Sequence, residues 1–299
     1  LTYNMSDEIM MYGNIARSYK SGGFNPIGAD SPLLDPALGG DPGNADFEPE
    51  YVNSAEFGIK TTLMDGSLQL NGTGFYYDYE DLQVSKIVSV TSLNVNSDAT
   101  IMGFEGEMLW APTDALRLSA TFSWLDTDID DFSTYDTSNP NAQGTNEGII
   151  SCNGVNWLSD NPADCADTSG LSSGIPINQD GNNIQGSPEY SYNLGAAYTF
   201  FNLGGVGDLT VSTNYYWQDE FYARNFNSDS DLVEEWEVWN ASARLQSSDD
   251  TWYAEAWIKN ILDDDYVTGQ YLTSSVSSLF TNQFILDPQT YGATVGYRW

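Results

Sequence analysis

The sequence predicts an all-β protein, an antiparallel barrel of about ten strands that crosses a membrane. Three observations carry this. Apolar and aromatic residues alternate strictly with small or polar ones along long segments, clearest at the carboxy-terminus, where Tyr291, Ala293, Val295, Tyr297 and Trp299 interleave with Thr290, Gly292, Thr294, Gly296 and Arg298. A strand with that pattern has one apolar face and one polar face. Many alternating segments approach the 9 to 11 residues a tilted membrane strand needs and exceed the five or six of a typical globular strand. Finally, short connections near 64–66, 111–115, 202–208 and 247–250 alternate with long ones near 20–50, 126–186, 223–235 and 266–288. Short turns on one side and long loops on the other are the plan of an outer-membrane barrel. A soluble adhesin-like β-sandwich remains the alternative, although its exposed face would normally carry Lys and Glu.

The elements follow in order. Residues 5–8 (Met-Ser-Asp-Glu) read as a turn and 9–19 as a strand rich in Tyr, Ile and Met. A loop broken by Pro32, Pro36, Gly39, Gly40, Pro42 and Gly43 runs to about Glu50. The segment 51–63 alternates again, and Met64-Asp65-Gly66 is short enough for a hairpin. A long strand over 67–88 turns near Ser92 into a second, where Met102, Phe104, Met108 and Trp110 oppose Gly103, Glu105 and Glu107. After Ala111-Pro112-Thr113-Asp114, the residues Leu116, Leu118, Ala120, Phe122 and Trp124 alternate with Arg117, Ser119, Thr121 and Ser123. Residues 126–186 form a loop of about sixty residues, rich in Asp, Asn, Gly and Ser, and compact soluble domains seldom carry one so long. Strands then fall at 190–200, 209–218, 236–246 and 252–263, and a loop to Pro288 leads to the last. Counting back from a periplasmic carboxy-terminus through an even number of strands places Leu1 at a periplasmic turn.

Composition narrows the function. There are 43 acidic and nine basic residues, a net charge of −34, and no histidine. Such a chain repels phosphate backbones, so nucleic acid is excluded as a partner. Without histidine there is neither histidine catalysis nor a histidine-held metal, and no cofactor is expected. Aromatic content of 14% and regular alternation argue against disorder. The acidity reads as solubility or adaptation to salty water, or as divalent-cation bridging at an outer surface. No run of 18 apolar residues is present, so no helix of this chain spans a membrane. No basic-then-apolar leader precedes the first strand, and the chain reads as a fragment or as a protein whose signal peptide has been removed. Cys152 and Cys165 lie thirteen positions apart in one loop. They suit a local disulfide in an oxidising compartment, worth about 3 kcal/mol by loop entropy, or two free thiols.

Several motifs, in order along the chain, resemble the TonB-dependent outer-membrane receptors. Tyr19-Lys20-Ser21-Gly22-Gly23-Phe24-Asn25 looks like that family's loop entry, and Phe47-Glu48-Pro49-Glu50 with Glu56-Phe57-Gly58-Ile59-Lys60 like its next strand. Asp81-Leu82-Gln83 and Gly103-Phe104-Glu105 look like the following hairpin. Lys259-Asn260-Ile261-Leu262-Asp263 with Tyr266 resembles the penultimate strand. The aromatic end, Tyr291, Tyr297 and Trp299, resembles the signal read by the barrel-assembly machinery.

The resemblance implies a 22-stranded barrel with a plugged lumen, of which this chain is the C-terminal part, located in the cell outer membrane of a Gram-negative bacterium. It implies that the plug and the TonB-contacting box precede Leu1. The partners would be lipid, the plug, the TonB complex and a small-molecule ligand, a ferric siderophore first, with cobalamin, a glycan or another nutrient open. An acidic, histidine-free loop set offers no obvious site for an anionic ferric chelate. Lumen-side charges expected to meet the plug are Glu56, Lys60, Glu105, Glu107, Arg117, Arg244 and Arg298, with water as their alternative neighbour. Loop aromatics expected at a ligand are Tyr135, Trp157, Tyr222 and Tyr271, with packing as the alternative. The rival functions are a passive ten-stranded pore or a barrel protease. The latter would want paired Asp or Asp with His, and only Asp126 with Asp128 come near a strand top.

Overall fold

The computed structural model describes residues 1–28, 34, 42–88, 91–130, 132–135, 149–152, 155–158, 176–272 and 280–298. One eleven-stranded antiparallel sheet dominates: β1 (Thr2–Asn4), β2 (Ile9–Lys20), β3 (Glu50–Leu63), β4 (Leu68–Val88), β5 (Thr91–Trp110), β6 (Leu116–Asp130), β7 (Tyr190–Leu203), β8 (Gly207–Gln218), β9 (Trp236–Ser247), β10 (Trp252–Lys259) and β11 (Thr290–Tyr297). Each strand pairs with its neighbours in the chain, a meander without crossovers, and β1 and β11 are its open edges. Among the described residues the remaining ladders have two short strands each. Among the described residues no second large sheet packs on the first, which removes the sandwich alternative.

Register divides the side chains between two faces. One row across the sheet is Gly13–Phe57–Gly74–Phe104–Trp124–Tyr190. One residue along, on the opposite face, runs Tyr12–Gly58–Thr73–Glu105–Ser123–Ser191. The first face leaves its large apolar groups uncovered, with Ile15 at 88% exposure, Phe57 at 58% and Val295 at 78%. The buried apolar residues are Leu93, Ala99, Ile129, Phe132, Val233 and Leu272, all toward the long-loop end. Among the described residues the sheet has no central protein core, and its apolar face is built for lipid.

Turns at one end are tight. Met64 and Asp65 both take φ of 55°, followed by Gly66 at 88°, the left-handed geometry that matches the twist of a hairpin. Further turns of a few residues join β1 to β2, β5 to β6, β7 to β8 and β9 to β10. At the other end β4 and β5 continue far past their neighbours, bent at a bulge between Tyr79 and Leu82 where Asp81 has φ of 58°.

Several boundaries differ from expectation. The strand count is eleven, because a short strand precedes the Met5–Glu8 turn. The Leu1 carbonyl already accepts from the Gly13 amide, so residue 1 lies in the ladder and not at a turn. β6 runs to Asp130, pairing Asp126–Asp130 with residues 98–102. Above the lipid its outward positions become Asp126, Asp128 and Asp130, so the apolar half of the alternation disappears and the segment reads as loop. The rest of the expected loop holds two ladders, Ser133–Tyr135 with Pro176–Asn178 and Ile149–Cys152 with Val155–Leu158. β10 stops at Lys259 because Asn260 turns to φ of 48°. The β4–β5 ladder pairs Val88 with Thr91, just before the expected turn.

Candidate functional site: the lumen face and the loop rim

The seven charges expected to face the lumen do share one face. Lys60, Asn71, Glu107 and Thr121 are direct cross-strand partners. Glu56 and Glu105 lie on the same side at even spacing from Lys60 and Glu107. The row Arg117–Ala197–Ser212–Ser242–Trp257–Gly292 carries that face across β6 to β11, with Arg244 and Arg298 at even spacing from Ser242 and Gly292. Polar pairs cover it: Asn71 Nδ2 donates to Glu107 at 2.9 Å, Tyr77 to Glu56 at 2.9 Å, and the Tyr12 and Thr73 hydroxyls meet at 2.8 Å. Arg244 reaches Glu255 at 3.3 Å and lies 3.8 Å over the Tyr253 ring. Arg117 has no ion-pair partner among the described residues. It lines a groove of about 470 Å³ with Gln69, Leu109, Ser119, Gly195 and Asn214.

Above this wall, backbone-seeking amides tie the long connections down. Asn25 Nδ2 donates to the carbonyls of Asn44 and Asn94, and its Oδ1 accepts from the Asn94 amide at 2.8 Å. Gln83 Nε2 bonds the carbonyls of Ser21 and Glu48, while its amide donates to Glu50 at 2.9 Å. Asn96 exchanges bonds with Glu48. On the other side Asn182, Asn183 and Gln185 bond Asn225 and Asn227 across two loops. Arg224 forms a two-pronged pair with Asp231, at 2.6 and 3.1 Å, and Asp231 also accepts from the Ser228 hydroxyl. Gln270 Nε2 then bonds the carbonyls of Ser230 and Leu232, linking a third loop. Tyr266 sits in that loop with its phenol pushed above its ordinary pKa, first by burial and then by Asp264, Glu237 and Glu235.

The family domain described as "TonB dependent receptor-like, beta-barrel" matches residues 1–261. The chain belongs to this family. Among solved structures, the ferric yersiniabactin uptake receptor FyuA from Yersinia pestis is similar at TM-score 0.67 and 16% identity, over 98% of this chain and 35% of that one. BauA, the ferric preacinetobactin receptor from Acinetobacter baumannii, gives 0.63 and 19% over 99% and 35%. The copper transporter OprC gives 0.60 and 13% over 99% and 38%. At these identities the likeness is one of fold. The chain spans about a third of the length of these receptors. No curated protein matches it in sequence.

With the TonB-dependent receptor barrel identified, the motifs that pointed to it acquire a structural reason. The loop-entry glycines fit under Phe47: a β-carbon on Gly22 would meet the Phe47 carbonyl at 2.5 Å, and one on Gly23 the Phe47 ring at 2.7 Å. Gln83 of the Asp-Leu-Gln motif is the staple for that same pair of segments. Asn260, 2% exposed, donates to the carbonyls of Asp264 and Asp287 and so closes the last long connection. Asn25 closes the loop-entry motif quoted from the sequence, whereas sequence reasoning did not single out Asn96 or Asp231. The only signal was the density of Asn and Asp in the loops, which does not say which carbonyl each would find.

Of the aromatic ligand candidates, the side chains of Tyr222 and Tyr271 are described. Tyr222 is half-buried in a two-residue ladder opposite Leu232, and its carbonyl accepts from Gly186. Tyr271 is 50% exposed, its ring 6.1 Å from Phe284. Tyr135 and Trp157 lie in the ladders opposite Pro176 and Ile150, with side chains outside the described residues. Cys165 and Trp299 also fall outside them, and with them the disulfide and the last residue of the assembly signal. Tyr291 and Tyr297 lie on the exposed outer face of β11, paired with Ile258 and Trp252.

Proposed function

We propose that this chain is the C-terminal part of an outer-membrane receptor barrel that takes a scarce nutrient at its loops. Import through the lumen is driven by the TonB system of a Gram-negative cell. The observation that carries the reading is the lumen wall. Glu56, Glu105, Glu107 and Arg117 share the inward face of the sheet by register, which supports contact with a plug, whereas a passive pore needs only a wetted interior. Arg117, Ser119 and Gly195 line one groove on that face. Ferric siderophores are the first ligand class to test, in keeping with the names of the ferric yersiniabactin and preacinetobactin receptors.

The test is uptake of iron-55 as a panel of ferric chelates by cells with and without the complete receptor gene, before and after collapse of the inner-membrane proton gradient. Receptor-dependent uptake that stops on collapse supports active import. Uptake that persists on collapse would overturn it in favour of a passive pore.

A further inference from the structure

We infer that the connections after β6, β8 and β10 form one cooperative unit, which opens and closes as a whole, so that contact made with one of them is felt by the other two. Residues 178–189, 218–236, 260–272 and 281–289 make up the unit, whatever ligand the barrel carries.

Backbone-seeking amides join the first two connections. Asn182 Nδ2 donates to the Asn225 carbonyl at 2.8 Å, and the Gln185 amide donates to Asn225 Oδ1 at 2.8 Å. The Asn183 amide donates to Asn227 Oδ1 at 2.7 Å, and Asn227 Nδ2 returns a bond to the Asn183 carbonyl at 2.9 Å. The Gly186 amide meets the Tyr222 carbonyl at 2.8 Å. Gln270 Nε2 brings in the third connection, 2.9 Å from the Ser230 carbonyl and 3.2 Å from that of Leu232. Between these two seams stands Asp231. Its carboxylate takes Arg224 Nε at 2.6 Å and the Ser228 hydroxyl at 2.7 Å, and its carbonyl accepts the Ala223 amide at 2.7 Å. The third connection is closed on itself by Asn260, which bonds the carbonyls of Asp264 and Asp287, and by the Leu286 amide on the Tyr266 carbonyl at 2.8 Å.

Burial makes these bonds interdependent. Asn225, Ser228, Asp231, Val233, Asn260 and Leu272 are each at most 9% exposed, so a connection that lifted away alone would leave buried carbonyls and amides of its neighbour without partners. Unpaired buried groups cost more than a single hydrogen bond returns, and the connections therefore open together before they open singly. The brace around Asn25, Gln83 and Asn96 is a separate one. Its bonds join the connection after β2 to the β4–β5 arm, across the β5–β6 ladder from this unit. Segments tied in this way exchange their amide protons as one block with a common opening free energy. A ligand held at one connection, for instance beside the exposed Tyr271 ring, would lower the open population of all three.

The test is native-state hydrogen exchange of the complete receptor in detergent, read by peptide mass spectrometry at urea concentrations below unfolding. In the unaltered protein the bonded amides of Gly186, Ala223, Asp231 and Leu286 should converge on one opening free energy and one urea dependence. Those of Asn25 and Asn94 should follow another. Two variants address the seams from opposite ends. Gln270→Ala should speed exchange at Gly186 as much as at Leu286, by about five- to tenfold, and Asn182→Ala should do the same at Leu286. Neither should change Asn25 or Asn94. Acceleration confined to the connection that carries the substitution, or separate urea dependences in the unaltered protein, would overturn the cooperative unit. Acceleration that spreads to Asn25 and Asn94 would overturn its separation from the first brace.

Discussion

At Gly103 a β-carbon would come within 2.6 Å of both the Phe75 ring and the Trp124 carbonyl oxygen. The ring of one strand lies over the bare backbone of the next, and the pattern recurs at Gly58 under Tyr12, Gly292 under Trp257 and Gly296 under Tyr253. Gly103→Ala should therefore lower the stability of the detergent-folded receptor by about 1–3 kcal/mol, read as a shift in the urea midpoint. Gly13→Ala, whose new carbon would meet only the Glu56 carbonyl at 3.6 Å, should shift it little. Equal effects would show that the rings do not fix these glycines. Asp249 supplies a pH-dependent residue in the β9–β10 turn. Its carboxyl is held below the usual carboxylate range, chiefly by the Thr251 hydroxyl at 2.7 Å. A depressed folded pKa stabilises above the unfolded value, near 4, and that contribution is lost as pH falls through the folded one. Amide protection factors across the turn should drop as pH falls below about 4, and Thr251→Ala should flatten the drop.

The connections are where elements, more than single residues, decide the outcome. The loop between β8 and β9 is held by Arg224 and Asp231, whose side chains are 14% and 2% exposed. Asp231→Asn would leave a guanidinium enclosed without its counter-charge, a loss of about 3–5 kcal/mol for a buried pair. The expected reading is rapid proteolysis within residues 219–235 with the strands still protected, and an unchanged cleavage rate would refute the staple. This was not legible in the sequence. Arg224 and Asp231 are seven apart in a segment without periodicity, and only the fold of the loop brings them together. The strands were legible, because a lipid face demands an apolar residue at every second position. That same demand explains the misplaced end of β6, since above the bilayer the demand lapses while the hydrogen-bonded ladder continues.

Across the whole molecule the two faces set opposite tolerances. Val211, outward on β8, pairs with Tyr198 and Ala243 and is 42% exposed. Val211→Arg should cost about 2–4 kcal/mol if the site lies near the bilayer midplane. It should reduce the inserted fraction of the complete receptor, seen as loss of the heat-modifiable band on gels. Arg at Thr121, on the lumen face beside Glu107, should leave insertion intact. Equal insertion defects would contradict the assignment of faces. Placing a charge at Trp299 should likewise impair insertion through the assembly machinery, and normal insertion would count against that role.

The sequence by itself determined the β class, the strand order and the side on which each charge falls, because side-chain alternation in a strand has period two and needs no tertiary contact to be read. It also carried the family motifs, whose glycines and amides answer local backbone needs. Tertiary structure alone decided which loop amide meets which carbonyl and how far the ladders continue past the alternating apolar stretches. Those outcomes depend on contacts between segments up to 69 residues apart, such as Asn25 with Asn94, and no periodicity in the chain encodes a distance of that kind.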